Sequence, residues 1–323
     1  MTKLNALDEL CDTPHTFLNV PHTHDATGAR AAILGIPFDC GLHPFRIGSR
    51  QGPQSIRDQS RLMRTYNSEL ADFNPMARLK LVDCGNVRVT PSKVQESFAA
   101  IEKAVSIILK QGAVPVTMGG DGSVSLPQLR AVGKHHPDLA VIHIDSHTDT
   151  NTFQPGNEYN AGTQFTHAAL EGCLDPHSSF HIGIRGTTYS QHILAHARSF
   201  GYRIVTLNAL LDQGISNVVA ELREQLKGRP VYLCFDMDVI DPSCAPGVAA
   251  PSWGGLTARE AIALLRMLEG FNLVAVDFNT VSPPHDINGM TASLAAALMF
   301  ECLVLLCRQF DLAYPDPVPE FHY

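Results

Sequence analysis

The sequence predicts a three-layer α/β/α sandwich with an eight-stranded parallel sheet, and three observations predict it. Eight short apolar runs rich in β-branched residues punctuate the chain. Most of the gaps between them carry apolar residues at helical spacing. The runs are apolar on both faces, as strands covered by helices on both sides are. A closed eight-stranded barrel meets the same strand count and stays open as the alternative.

In chain order the strand candidates are AAILGIP from Ala31, LKLVD from Leu79, AVPVTM from Ala113 and LAVIHI from Leu139. SFHIGI from Ser179, YRIVTL from Tyr202, PVYLCF from Pro230 and LVAVDF from Leu273 complete the set. Between the second and third, SKVQESFAAIEKAVSIILKQG places Val94, Phe98, Ile101, Val105 and Ile108 on one face and stops at a glycine. Before the eighth, TAREAIALLRMLEG opens on Thr257, three residues ahead of Glu260, the capping-box spacing. No Pro/Ser-rich linker or charge run divides the chain. It reads as an N-terminal arm over 1–30 and a single domain over 31–323.

The chain has 323 residues, 45% of them hydrophobic, enough for one large core or two smaller ones, and its net charge of -8 argues against a nucleic-acid partner. The eight cysteines form no C-x-x-C pair and no zinc spacing, so they read as free thiols, several in apolar runs, in a reducing compartment. The N-terminus has no secretory apolar segment, and no run of about 18 apolar residues suggests a membrane span. The expectation is a cytoplasmic protein with no membrane partner. The fifteen histidines read mostly as solvated or core residues, with KHHPD and PHTHD in turn-like sequence.

In open parallel sheets, sites form outside the carboxyl ends of the strands, and three strand ends here carry polar clusters. VIHIDSHTDTN gives Asp145, His147 and Asp149, VYLCFDMDVIDPSCAPG gives Asp236, Asp238 and Asp241, and VTMGGDGSVS gives Asp121 followed by Gly122. Asp-x-His-x-Asp leaving a strand aims three ligating groups into one crevice, and Asp-x-Asp adds two. Five such groups suit two divalent cations bridged by shared carboxylates, an arrangement that activates water. Without a cation, clustered carboxylates repel one another. Asp241, ahead of Pro242, reads instead as a turn former.

These motifs, together with GIPFDCG, RIGSRQGPQSIR, HIGIRG and VSPPHDINGMTASLAA, resemble the ureohydrolases, the arginase and agmatinase family, over nearly the whole chain. The likeness is strongest to the guanidinobutyrase and guanidinopropionase branch. It implies an arginase-like fold and hydrolysis of a C–N bond in a guanidino or biguanide compound, with Mn2+ or Ni2+ as the divalent metal. It makes Asp145 and Asp236 the bridging ligands, with His147 and Asp238 completing one metal site. Asp149 would belong to the other site and orient the attacking water, and Asn151 lies where the family contacts the far end of its substrate.

Three positions depart from the family. Gly122 stands where a histidine ligates the first metal, Ala161 where a histidine shuttles protons, and Thr280 where a glutamate pairs with the guanidinium. His143 shares the strand face of Asp145 but lies deeper, which argues against its replacing the lost ligand. General acid–base groups contribute about 10²- to 10⁴-fold each, so the chain alone is expected to be inert or weakly active. It should hold one tightly bound divalent ion or none, in the half-site of Asp145, His147, Asp236 and Asp238. The expected partner is a second, intact ureohydrolase-like subunit in a hetero-oligomer, a hexamer, since the family assembles as trimers and hexamers. The alternatives are a self-sufficient enzyme for an alkylated guanidine and a regulatory protein that binds a guanidino compound. A phosphate loop at GGDGS is disfavoured, because it lacks a lysine and carries an acid.

Overall fold

The structure, a computed structural model, describes residues 11–317 apart from 13, 14, 42–44, 68, 70 and 71. Its strands are β1 (Cys11–Asp12), β2 (Ala31–Gly35), β3 (Val82–Val87), β4 (Val114–Met118), β5 (Ala140–Ile144), β6 (Phe180–Ile184), β7 (Arg203–Thr206), β8 (Pro230–Asp236) and β9 (Asn272–Asn279). They form one sheet in the order β1-β3-β2-β4-β9-β8-β5-β6-β7. Eight strands are parallel, as the sequence predicts, and the two-residue β1 joins β3 antiparallel. With β1 at one edge and β7 at the other, the sheet is open, so the barrel is excluded.

Alternate residues of the buried strands feed two cores. Ile142, Ile144, Leu233 and Phe235 pack with the helices Gly52–Ser60, Ala258–Met267 and Met290–Gln309. Val141, Tyr232 and Cys234 face the other way, onto the helices Val94–Lys110 and Ser125–His135. The period of two along each strand thus fills both layers. Thr257 caps its helix with the full reciprocal box to Glu260. Every described cysteine side chain is a free thiol.

Two expectations shift. The run from Leu79 does not begin as a strand: Asn74 caps the helix Pro75–Leu79 by accepting from the Ala77 amide, and β3 starts at Val82. The signal was present, since proline favours the first helical position after an asparagine cap. The helix Met290–Gln309 is long and apolar enough to cross a membrane, yet 78% of its most apolar window is buried inside the protein. Its acid, Glu301, pairs with Arg266 at 2.9 Å. It is a core helix.

The first ten residues of the expected arm lie outside the described residues. Later parts of it pack onto the sheet: Phe17 is fully buried, and its amide donates to Asp83 Oδ2 at 2.8 Å. Asp83 in turn holds Arg57 through two bonds of 2.8 Å, with both side chains wholly buried.

The topology brings four adjacent strands, β4-β9-β8-β5, to one carboxyl-end crevice. Parallel register sets Ile144 beside Phe235, Asp236 beside Asn279 and Met118 beside Phe278. The residues that follow each strand therefore converge. These are the segments of Gly122, Asp145, Asp238 and Thr280.

Candidate metal centre

A cavity of about 450 Å3 opens over these strand ends. Its floor holds Asp149, Asp236 and Asp238, with His147, Gly122 and Thr280 beside them and Asn151 and Ala161 on the wall. Toward the mouth it becomes apolar, with Phe45 and Tyr189 about 80% exposed at the rim. Both arginines of the lining are occupied by backbone carbonyls. Arg46 donates to Val248 and Ala249, and Arg185 to Asp238 and Ser252.

Asp145 and Asp238 form one half of the cluster with His147. The Asp145 Oδ1 accepts the His147 amide at 2.6 Å. Asp238 Oδ1 accepts from the Ser146 hydroxyl at 2.7 Å, and its Oδ2 lies 3.1 Å from His147 Nδ1. Burial alone would raise the Asp238 pKa, but His147 beside it outweighs burial and brings it to about 2. Burial opposes charge on His147 too, yet Asp238 and Asp145 lift its pKa well above the ordinary imidazole value. This pair is therefore ionic. Asp145 behaves differently: burial, then the Asp238 charge, pushes its pKa up to about 7.

The other half contains Asp149 and Asp236. Burial first, and neighbouring acids second, raise both pKa values well above the carboxylate range. Each acid meets a neutral donor. Asp149 Oδ2 accepts from the Gln164 amide, and Asp236 Oδ2 from the Thr280 hydroxyl. Asp236 Oδ1 accepts the Asp238 amide at 2.8 Å. Two backbones here take left-handed conformations, Asp149 at φ 52° and Thr280 at φ 71°, the second an uncommon setting for a β-branched residue.

His143 reaches further than the sequence suggests. Its Nε2 lies 2.8 Å from Asp145 Oδ2, and its Nδ1 is 2.7 Å from Nδ1 of the buried His181. Burial holds the His143 pKa down to about 4, so the ring is neutral. The Asp145 contact is off the hydrogen-bond line, and Oδ2 finds no hydrogen-bond partner among the described residues.

A buried carboxylate oxygen without a donor fits a cation. The ligand atoms of Asp145, His147 and Asp238 lie within 4.8 Å of one another, two oxygen donors and one nitrogen. That set suits one divalent transition ion. A second group, His143, Asp145 and Asp149, meets the same distance limit. Asp236 belongs to neither group; its two oxygens are held by Asp238 and Thr280.

The remaining expected residues are placed as follows. Asp121 lies against Gly122, but its Oδ2 accepts the amides of Cys40 and Gly41, and its Oδ1 accepts from Ser123. It ties two loops together. Asp241 is a turn former, accepting the amides of Ser243, Gly254 and Gly255 at 2.8–3.0 Å. Asn151 is fixed by its main chain to Gly162 and Thr166, leaving its side chain on the pocket wall. Sequence reasoning missed Gln164 and His181 altogether. Gln164 begins the helix Gln164–Leu170 two residues beyond Gly162, close in sequence to the flagged Ala161.

Comparison with known proteins agrees with this geometry. The arginase family profile matches residues 29–305. The guanidinopropionase of Pseudomonas aeruginosa is 38% identical over 91% of this chain and 92% of its own length. The solved proclavaminate amidinohydrolase of Streptomyces clavuligerus superposes with a TM-score of 0.85 at 35% identity, covering 92% of this chain and 98% of that one. The formiminoglutamase of Trypanosoma cruzi, solved with Mn2+, superposes at 0.80 and 25% identity over 92% and 99%. Sheet order, strand-end acids and these matches agree: the chain belongs to the arginase family.

Proposed function

We propose that this chain is a non-catalytic or weakly catalytic subunit of a heteromeric, divalent-metal-dependent ureohydrolase. The assembly would cleave a C–N bond of a guanidino or biguanide compound, in the manner of a metformin hydrolase, with Mn2+ or Ni2+ as its metal. The partner is a second ureohydrolase-like chain that keeps the histidine after Gly-Gly-Asp, the shuttle histidine and the glutamate after the last strand. The mixed ring is a cytoplasmic hexamer.

One observation carries the reading. The crevice keeps the acids of Asp-x-His-x-Asp and Asp-x-Asp, while Gly122, Ala161 and Thr280 line the same cavity without a ligating, shuttling or guanidinium-pairing side chain. Asp236 and Asp149 are tied to Thr280 and Gln164. An ion at Asp145, His147 and Asp238 would polarise a nearby group; among the described residues the lining offers no separate proton shuttle and no free carboxylate for a cationic substrate. A second reading, a self-sufficient enzyme for an alkylated guanidine, draws on the apolar rim of Phe45 and Tyr189.

The test is a co-expressed complex in which each chain is altered in turn. Changing Asp145 and Asp236 to Asn here should leave turnover of 4-guanidinobutanoate and biguanides nearly unchanged. The matching changes in the partner should abolish it. Loss of turnover from the changes here, with the complex still assembled, would make this chain the working subunit.

A further inference from the structure

Gly122 has a counterpart that the sequence did not advertise. A Cβ placed on Gly122 would lie 2.7 Å from Gln164 Nε2, 3.1 Å from the Ala161 carbonyl and 3.3 Å from Asp149 Oδ2. Any side chain at 122 would therefore enter the space beside Asp149, and the Gln164 amide already fills it. Gln164 is 2% exposed and donates to the Asp149 carboxylate at 2.5 Å. Its Oε1 finds no partner among the described residues. A buried amide accepts that cost when its donor end meets a charge or a strong acceptor.

We propose that Gly122 and Gln164 act as a pair that closes one of the family's two metal half-sites, the Gln164 amide standing where a ligand side chain and its cation would otherwise sit. This rests on the reading of the chain as a degenerate subunit and deepens it. Losing a ligand at position 122 lowers affinity; filling the space with a neutral donor removes the vacancy itself. Asp149 keeps a partner without any ion, and the half formed by Asp145, His147 and Asp238 stays open. The residues around Gly122 do not fit a second cation. His143 turns its Nε2 toward Asp145 Oδ2 at 2.8 Å while its Nδ1 meets His181, so it is a competing ligand for this half-site, and the metal count tests it directly.

The pairing changes what repair requires. A histidine at 122 would bring its Cβ to 2.7 Å from the Gln164 amide nitrogen that is held on Asp149, so Gly122→His by itself should not restore a second ion. Gly122→His with Gln164→Ala should. The experiment is the content of bound metal, measured by elemental analysis after incubation with Mn2+ or Ni2+ and desalting. The unaltered chain and Gly122→His should each retain about one ion per chain, and the double variant about two. Circular dichroism reports folding in each case.

A folded double variant that still retains about one ion would overturn the closure while leaving the degenerate-subunit reading in place. An unaltered chain that retains about two ions would overturn both. In that case, loss of one ion on Gln164→Ala would make the amide a ligand, and loss on His143→Ala would make the imidazole one. If the double variant does not fold, Gln164→Ala alone decides. Its melting temperature should rise on adding Mn2+ by clearly more than that of the unaltered chain, and an equal rise would sink the proposal.

Discussion

The protein buries acid in two places and treats it in opposite ways. Behind the sheet edge, Asp83 meets a fixed cation: Arg57 gives it two parallel bonds, and the Phe17 and Gly85 amides complete its shell. At the strand ends, Asp145, Asp149, Asp236 and Asp238 share one charged imidazole, His147, and otherwise meet neutral groups, the His143 ring among them. A buried carboxylate that serves the fold is given a matched partner in the chain. The cluster has one such partner for four acids, which is the signature of a site whose charge balance comes partly from bound cation or bound protons. The difference separates what holds the fold from what was inherited as chemistry.

The largest expected effect lies at the matched pair. Arg57→Ala should cost about 3–5 kcal/mol, because it strands a buried carboxylate. Urea unfolding should show the same loss with and without added divalent metal. A loss that metal rescues would mean the two acid sites are coupled.

The next effect belongs to the open half of the cluster. Saturating Mn2+ or Ni2+, at about a hundred times the dissociation constant, should stabilise the chain by about 2.7 kcal/mol. Thermal unfolding with metal and with chelator measures it. Asp145→Asn with Asp238→Asn should remove the shift and leave the chelated protein folded. An undiminished shift in that double variant would place the ion elsewhere.

The two acid sites were unequally legible in the sequence. The four cluster acids stand out because short-range patterns, Asp-x-His-x-Asp and Asp-x-Asp, place them at or just past the ends of two strands. The eight parallel strands stand out for the same reason, as local runs. Asp83 and Arg57 do not, since 26 residues and a change of layer separate them. The neutral donors are equally hidden. Gln164 lies 15 residues from Asp149, and Thr280 lies 44 from Asp236. His143 was visible, but its reach depends on His181, 38 residues on, pressing against it from β6. The two-residue β1 carries no periodic pattern and could not be read at all. Local periodicity thus reveals elements and acids, whereas the groups that decide the state of those acids are set by tertiary contact.

A smaller effect tests how the cluster balances charge with protons. Burial raises the Asp145 pKa to about 7 and those of Asp149 and Asp236 well above their ordinary 3.8. The folded, metal-free chain therefore binds more protons than the unfolded chain above the ordinary carboxylate range. Its stability is fully present at low pH with respect to these groups and is lost as pH rises through about 7. Chelated protein should thus lose stability in urea between about pH 5 and 8, and Asp145→Asn should flatten the slope. The metal-loaded chain should run the other way, since the ion competes with those protons. A chelated profile that rises with pH would contradict the buried-acid account.

The smallest effect separates a bond from a backbone at Thr280. The side chain holds Asp236, while the main chain sits at φ 71° with its amide donating to the Gly120 carbonyl at 2.7 Å. Thr280→Ala and Thr280→Gly both delete the hydroxyl, so both lose the bond to the carboxyl group. They differ in the backbone, because glycine adopts positive φ freely and alanine does not. Thr280→Gly should therefore be more stable than Thr280→Ala by about 1 kcal/mol, measured by urea unfolding of chelated protein. Equal stabilities would mean that the loop after β9 is not held left-handed in solution. The strand-end crevice would then tolerate rearrangement that the Asp83–Arg57 site does not. A clear advantage for glycine would show that the loop keeps its strained shape at Thr280.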